Sequence, residues 1–358
     1  MTPSYLQPSN NPPKNRNFTM ASTMKAWQYN KINGKLEDSI ALNTSIPIPT
    51  TSSLAKNDML VEVLSAALNP VDYKLPESIA STFMISKPAT PGLDFCGRVK
   101  ATHPSNDSIK EGQLVFGCLH APRKYGTCGQ FITIPSSECA LLPEGVDIDQ
   151  AAAVGTAGMT AYQALLPGHV KAGSNVFING GSGGVGTFCI QFAKAMGTKI
   201  TTTCSTPNVE LCKSLGADEV IDYKTTDILS TLKGKGQVFD AVIDNVGSSA
   251  TLFTQCEAFL KPDGIFVQVA MQVTLAGMGG MMRKRLQPRL LGGVGRKFHF
   301  VANESRTRDF EQIGKWMKDG KVKAVIEETF AFEDVPKAFE HLRTGHTKGK
   351  IVIHVAEK

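Results

Sequence analysis

The 358-residue sequence has no window near the roughly 20 uninterrupted apolar residues of a membrane helix, and residues 1–20 lack the apolar core of a secretory signal. Basic residues do not run together with interleaved aromatics, and Lys plus Arg exceed Asp plus Glu only by 38 to 32, a net charge of +6. Nucleic acid is therefore not an expected partner. No C-x-x-C pair occurs among the eight cysteines, Cys96, Cys118, Cys128, Cys139, Cys189, Cys204, Cys212 and Cys256, which read as mostly buried free thiols. The Tyr-Lys pair of short-chain reductases is also missing: four residues after Tyr29, Tyr73, Tyr125, Tyr162 and Tyr223 stand Asn33, Glu77, Gly129, Leu166 and Asp227. The G-x-S-x-G pattern of a nucleophile elbow occurs only as GGSGG at 180–184, which belongs to a different kind of turn.

What is present is enough apolar material, 42% of residues, for the cores of about two domains. Residues 1–23, rich in Pro, Asn and Ser, cannot bury enough surface to offset their ordering entropy and are expected to be a disordered extension. Lys14 and Arg16, with no acidic neighbour, fit a mitochondrial presequence, but clustered prolines oppose the amphipathic helix it needs; a cytoplasmic protein is expected. From Met24 the chain shows short β-type runs broken by turn residues, such as MLVEVLSAAL, CGRVKAT and GQFITIP, the pattern of a compact β-rich unit. Near Asp149 the texture changes to a helix and then to strict strand-helix alternation. Strands are expected at Asn175–Asn179, Lys199–Cys204, Glu219–Asp222, Asp240–Asn245, Gly264–Val269 and Lys297–Val301, which together make a doubly wound parallel sheet in an α/β protein. The closing strand, helix and strand should rejoin the first unit, because the parallel sheet has no place left for them.

The most informative stretch is VFINGGSGGVGTFCIQFAKAMG at 176–197, an apolar strand passing through a glycine turn into an amphipathic helix. Gly180, Gly181, Gly183, Gly184 and Gly186 let the backbone turn tightly and approach a dinucleotide pyrophosphate, whose charge is stabilised by the amides and dipole at the helix N-terminus. The reading assigns Ser182, Gly183, Gly184, Val185 and Gly186 to the cofactor.

With AALNPVDYK (66–74), PGLDFCGRV (91–99), GTCGQFITIP (126–135), AAAVGTAGMTAYQAL from Ala151, NGGSGGVG (179–186), CSTPNVELCKSLGADEVIDYK (204–224) and KGKIVIHV (348–355), the chain resembles the medium-chain dehydrogenase/reductase superfamily, in its zinc-independent quinone oxidoreductase and enoyl reductase branch. The resemblance implies a GroES-like β-rich catalytic domain over 24–150, completed by 324–358, and a doubly wound Rossmann domain over 151–323. It also implies NADPH and a homodimer. Zinc-dependent relatives use a Cys after the first strands, a Gly-His-Glu segment and a four-cysteine lobe. Here the corresponding segments read NPVDYK and Gly92-Leu93-Asp94, and the nearest decoy, Cys118, His120 and Cys128, is loosely spaced and lacks a fourth ligand. No metal is expected, and without that Lewis acid the favoured chemistry is hydride transfer to a quinone, enone or related activated alkene.

At the end of the second Rossmann strand, NAD-specific proteins place an acid on the ribose hydroxyls; here stands TTTCSTPN, without one. Ser205 and Asn208, with Tyr223 and Lys224 beyond the third strand, are expected to serve a 2′-phosphate, hence NADPH over NADH. Asn245, Val246, Val269 and Ala270 are expected to offer backbone groups to the nicotinamide carboxamide. Thr156 and Thr160 flank that region, with helix capping or packing as their alternative role. The resemblance implies that the Asn69–Lys74 turn lies beside the nicotinamide ribose and substrate, with Asn69 among the catalytic residues; Lys74, then Tyr73, are the expected electrostatic or proton-donating groups there, since each can donate to an enolate oxygen of a small electrophilic substrate. The alternative is that Asp72 and Lys74 only pair to fix that turn. Asp94 receives no catalytic role. The Met-rich, basic segment 276–298 is read as a pocket lid or a solvated connector. A zinc-type alcohol dehydrogenase and a non-catalytic NADPH-binding protein are the competing functions.

Overall fold

The computed structural model describes residues 23–78, 84–120, 123–247, 250–269 and 293–357. The extension at 1–22, Ala270 and segment 271–292 lie outside the described residues. No helix among the described residues is long and apolar enough to cross a membrane.

Strands β1 (Thr23–Gln28) and β2 (Ala41–Pro47) form an antiparallel ribbon. They are followed by β3 (Asp58–Leu68), β4 (Asp94–Thr102), β5 (Leu114–Cys118), β6 (Phe131–Pro135) and β7 (Cys139–Leu141). Helix α1 (Val71–Lys74) is a single turn after β3, α2 (Ile148–Ala152) is capped by the Asp147 carboxylate at 3.0 and 3.1 Å from the Asp149 and Gln150 amides, and α3 is Gly155–Leu165.

The parallel sheet then runs through β8 (Asn175–Asn179), β9 (Lys199–Cys204), β10 (Glu219–Asp222), β11 (Phe239–Asp244), β12 (Leu260–Gln268) and β13 (Lys297–Phe300). The intervening helices are α4 (Gly184–Ala195), α5 (Val209–Ser214), α6 (Ile228–Lys235) and α7 (Ala250–Thr254), and α8 (Thr307–Lys318) follows β13. The strand order β10-β9-β8-β11-β12-β13, with every pair parallel, is the doubly wound order. Alternation within β8 explains why helices cover both faces. Val176 and Ile178 join the core that contains Phe188 and Phe192 of α4, whereas Phe177 between them joins Phe253, Phe259 and Phe266 on the other side. Each such buried ring contributes about 1.5–3 kcal/mol relative to exposure. Trp316 of α8 packs 5.3 Å from Phe192 and 5.7 Å from Tyr162, centroid to centroid, tying α8 to α4 and α3.

Strand β14 (Ile326–Ala331), helix α9 (Val335–Arg343) and strand β15 (Lys350–His354) return to the first sheet. Its order is β14-β15-β3-β4-β5-β7, with β6 also pairing β3. Register then decides the chemistry: Ile351 lies opposite Leu68, and Asp94 opposite Ala67. The end of β3 and the starts of β4 and β15 therefore meet at one point, bringing Asn69, Asp94 and Lys350 together.

Candidate functional site

The glycine turn between β8 and α4 has separable parts. Gly180 adopts φ +82°, a conformation that disfavours any side chain, and its amide donates to Thr203 Oγ1 at 2.8 Å. A Cβ at Gly186 would stand 2.0 Å from the Gly180 carbonyl oxygen, so this glycine serves close helix-turn packing; a Cβ at Gly183 would meet nothing within 4 Å. The open side of the turn at Gly183, beside the N-terminus of α4, is where a phosphate group can approach.

A groove of about 670 Å³ runs from this turn to the converging strand ends. Of the residues expected from the sequence it is lined by Asn69, Ser182, Gly183, Gly184, Val185, Gly186, Ser205, Asn208, Tyr223, Asn245 and Val246. A second groove, about 800 Å³, shares Gly180, Ser182, Tyr223, Val246 and Gly345 with it and adds Lys224. Three buried oxygens in the first groove have no hydrogen-bond partner, Asn208 Oδ1, Asn245 Oδ1 and Thr347 Oγ1, and Asn245 Nδ2 has none either. Open cradle, helix N-terminus and free acceptors suit a dinucleotide.

Several of the residues expected at the cofactor hold other partners in the structure. The Val269 amide donates to the Asp244 carbonyl at 3.0 Å, the Asn245 amide to the Asn179 carbonyl at 3.2 Å, and the Val246 amide to Asp244 Oδ1 at 3.1 Å. These N–H groups are committed to the sheet and its end turn, and Val269 does not line the groove; Ala270 lies outside the described residues. Thr156 donates both its amide (2.7 Å) and its hydroxyl (2.6 Å) to Asp94 Oδ1, which makes it an anchor for the start of α3. Thr160 is buried one turn further along and also lies off the groove.

The structure does not bring Tyr73 and Lys74 to the groove. Tyr73 is buried beneath the Arg343 guanidinium, 4.2 Å from its ring centroid, and burial pushes its phenol above the usual tyrosine range. Arg343, at the end of α9, is clamped by Glu37 at 2.6 and 2.7 Å and also pairs with Glu77. Lys74 is exposed, its Nζ 6.0 Å from the Tyr73 centroid. Asp72 does not hold Lys74; its Oδ2 accepts the Asn69 amide at 2.6 Å. Burial, then the neighbouring Asp94 carboxylate, pushes the Asp72 carboxyl up to about 8. With Asp72 pushed toward its neutral form, Asp94 is the carboxylate that pairs with the Lys350 ammonium at 3.1 Å.

That pair was missing from the residues chosen from sequence. Asp94 is fully buried and Lys350 is 2% exposed; Lys350 Nζ donates to Asp94 Oδ2 at 3.1 Å, to the Leu68 carbonyl at 3.0 Å and to Asn69 Oδ1. Asn69 Nδ2 donates to Asp94 Oδ2 at 2.8 Å. Also missed was the segment Gly345–Lys350, which lies across the glycine turn, its Gly349 amide donating to the Ser182 carbonyl at 3.1 Å. It brings exposed His346 and Lys348 to the groove. The basic, glycine-flanked GHTKGK just before the last strand was the signal available.

The donor set does not suit zinc. Leu93 offers no ligand atom, both Asp94 oxygens are already engaged by four hydrogen bonds, and the Lys350 ammonium stands against them. The decoy thiols are separated: Cys118 contacts Ser305 Oγ at 3.1 Å within one core, and Cys128 belongs to the other. All eight cysteines are buried and free.

Two family models match, an alcohol dehydrogenase GroES-like domain over residues 55–170 and a zinc-binding dehydrogenase domain over 215–353. A trans-enoyl reductase of Aspergillus terreus is 45% identical over 95% of this chain and 98% of its own length. The chain belongs to the medium-chain dehydrogenase/reductase superfamily, in its zinc-independent enoyl and quinone reductase branch. An NADPH-dependent alkenal/one oxidoreductase of Arabidopsis thaliana is 30% identical over 92% of this chain and 79% of its own. The quinone oxidoreductase structure from Coxiella burnetii is 30% identical, with a TM-score of 0.79, covering 93% of this chain and 100% of that one. The chain is thus an oxidoreductase of a family that uses a nicotinamide cofactor, and the β-rich and doubly wound parts expected from its sequence are those of the family fold.

Proposed function

We propose that this protein is an NADPH-dependent reductase that delivers hydride, without a metal, to the conjugated carbon of an enone, an enoyl group or another activated alkene, or to a quinone. The single observation that carries this reading is the groove that joins an open phosphate cradle at Gly183 to the metal-unfit cluster of Asn69, Asp94 and Lys350. When bound there, a reduced nicotinamide dinucleotide supplies the hydride; the protein supplies position and charge stabilisation. The names of the Aspergillus and Arabidopsis relatives support an alkene acceptor.

The preference for NADPH rests on the rim beyond β9. Asn208 Nδ2 donates to Ser182 Oγ and Ser205 Oγ, both at 3.2 Å. Because serine hydroxyls also donate, the amide can turn its oxygen to these two hydroxyls and place its NH₂ where Oδ1 now lies buried without a partner. Exposed Tyr223 and Lys224 complete the rim. Asp222 and Asp227 are carboxylates near this rim that a reading of β9 alone passes over, and Asp222 adjoins Tyr223 directly. Asp222 is held in local bonds. Its oxygens accept Thr206 Oγ1 at 2.6 Å and the Lys224 amide at 2.9 Å, and these bonds, the Thr206 hydroxyl first, hold its pKa below the usual range. It shapes the two turns.

Oxidation of NADPH and NADH against a panel of quinones and enones tests the reading. Turnover with NADPH on conjugated acceptors is expected; binding without turnover on any acceptor would refute it.

A further inference from the structure

Segment Gly345–Lys350 joins α9 to β15 and so enters the groove from the first sheet, whereas the glycine turn and α4 belong to the parallel sheet. Its far end is fixed. The Gly349 amide donates to the Ser182 carbonyl at 3.1 Å, Gly349 forms a parallel bridge with Gly183, and a Cβ at Gly349 would stand 2.1 Å from the Val325 carbonyl oxygen. At the near end Gly345 lines both grooves. Residues 346–348 therefore run from the junction of the grooves to the open cradle at Gly183, and Lys348 is the neighbour of the residue that touches the cradle.

The charge along this path is of one sign. Among the described residues that line the groove of about 670 Å³ there is no Asp or Glu, and the basic side chains are those of His346, Lys348 and Lys350. Every hydrogen of the Lys350 ammonium already has an acceptor, the Leu68 carbonyl, Asn69 Oδ1 or Asp94 Oδ2, and Asp94 neutralises its charge. Lys350 has nothing left for a phosphate. Lys348 is exposed, and its ammonium has no acceptor among the described residues. Next to it Thr347 Oγ1 is buried without a partner, and across the groove so is Oδ1 of Asn208, a residue only 9% exposed. An unpaired ammonium and an unengaged hydroxyl, in one groove with the N-terminus of α4, match a phosphate group arriving at Gly183.

We propose that Lys348, with the Thr347 hydroxyl beside it, binds the pyrophosphate of the cofactor from the side of the first sheet, opposite the amides of the glycine turn. The proposal rests on the cofactor reading above and deepens it. The bridge from Gly349 to Gly183 favours the pyrophosphate over the 2′-phosphate, because it sets Lys348 one residue from the cradle. Charge for the phosphates then comes from both halves of the molecule: a helix N-terminus in the parallel sheet, and a side chain carried by the loop before the last strand of the other.

Equilibrium titrations of the full chain test it, by reduced-cofactor fluorescence for NADPH and NADH and by its displacement for ADP-ribose and 2′-AMP, with thermal unfolding as the control for folding. ADP-ribose carries the pyrophosphate without the 2′-phosphate, and 2′-AMP the reverse. Lys348→Ala should raise the Kd of NADPH, NADH and ADP-ribose alike, about tenfold, and leave that of 2′-AMP within about twofold. Lys348→Glu should weaken the same three further, and Lys348→Arg, which keeps the charge, should recover most of the affinity. Wild-type binding of ADP-ribose by the folded Lys348→Glu protein overturns the proposal. A loss confined to NADPH and 2′-AMP also overturns it, by assigning the ammonium to the 2′-phosphate. Wild-type protein that binds neither NADPH nor NADH overturns the cofactor reading itself, a failure distinguishable because it precedes any mutation.

Discussion

The two ends of the groove are built on opposite principles. At the strand-end cluster, Asn69, Asp94, Thr156 and Lys350 share seven hydrogen bonds to named partners, and Asp94 and Lys350 are 0% and 2% exposed. At the rim Tyr223 is 49% exposed and Lys224 is exposed, Ser205 is half-buried, and buried Asn208 keeps an oxygen without a partner. Buried, saturated groups fix geometry and are costly to disturb; exposed groups with spare valence discriminate between ligands and tolerate change.

Lys350→Met breaks this comparison most severely. It leaves the buried Asp94 carboxylate unpaired, and urea unfolding should show a loss of about 3–5 kcal/mol. Gly186→Ala comes next, since its methyl would collide with the Gly180 carbonyl; a loss of about 1–3 kcal/mol or more and weakened NADPH binding by titration are expected. At the rim, Ser205→Asp should raise the NADPH KM about tenfold, about 1.4 kcal/mol, with little change for NADH and little change in unfolding midpoint. Equal effects on both cofactors would remove the argument for a 2′-phosphate site.

Asp72 gives a smaller, pH-dependent effect. Its carboxyl titrates near about 4 when unfolded and at about 8 when folded. Between these values the native state holds a proton that the unfolded chain has shed, so its contribution makes stability fall as pH rises across that window, then level above it. Asp72→Asn should flatten that slope in denaturant titrations compared at about pH 5 and about pH 8. Lys74→Ala should do least: exposed and off the groove, it is expected to keep kcat within about twofold. A large loss of turnover there would return Lys74 to the chemistry.

Much of the scaffold was legible because local pattern determines it. Asn175–Asn179, Lys199–Cys204 and Glu219–Asp222 are strands with the bounds that alternation and turn residues indicate, and the glycine turn lies where spacing places it. The site was legible only where its residues are close in sequence. Asn69 and Lys350 are 281 positions apart, and their meeting depends on the antiparallel register of β15 on β3, which no single segment encodes. The amides of Asn245, Val246 and Val269 looked available because their partners, Asn179 and Asp244, are fixed only when strands align. The burial of Tyr73 was not legible because nothing nearby announces Arg343, which arrives from the far end of α9 to cover its ring.

The most direct test of metal-free hydride transfer is the initial rate of NADPH oxidation, followed by the near-ultraviolet absorbance of the reduced cofactor, with an enone panel and chelator-dialysed enzyme. Full turnover on at least one conjugated acceptor, faster with NADPH than with NADH and unaffected by added zinc, is the predicted result. Silence on every acceptor despite tight NADPH binding, or a rate that appears only when zinc is restored, would contradict it.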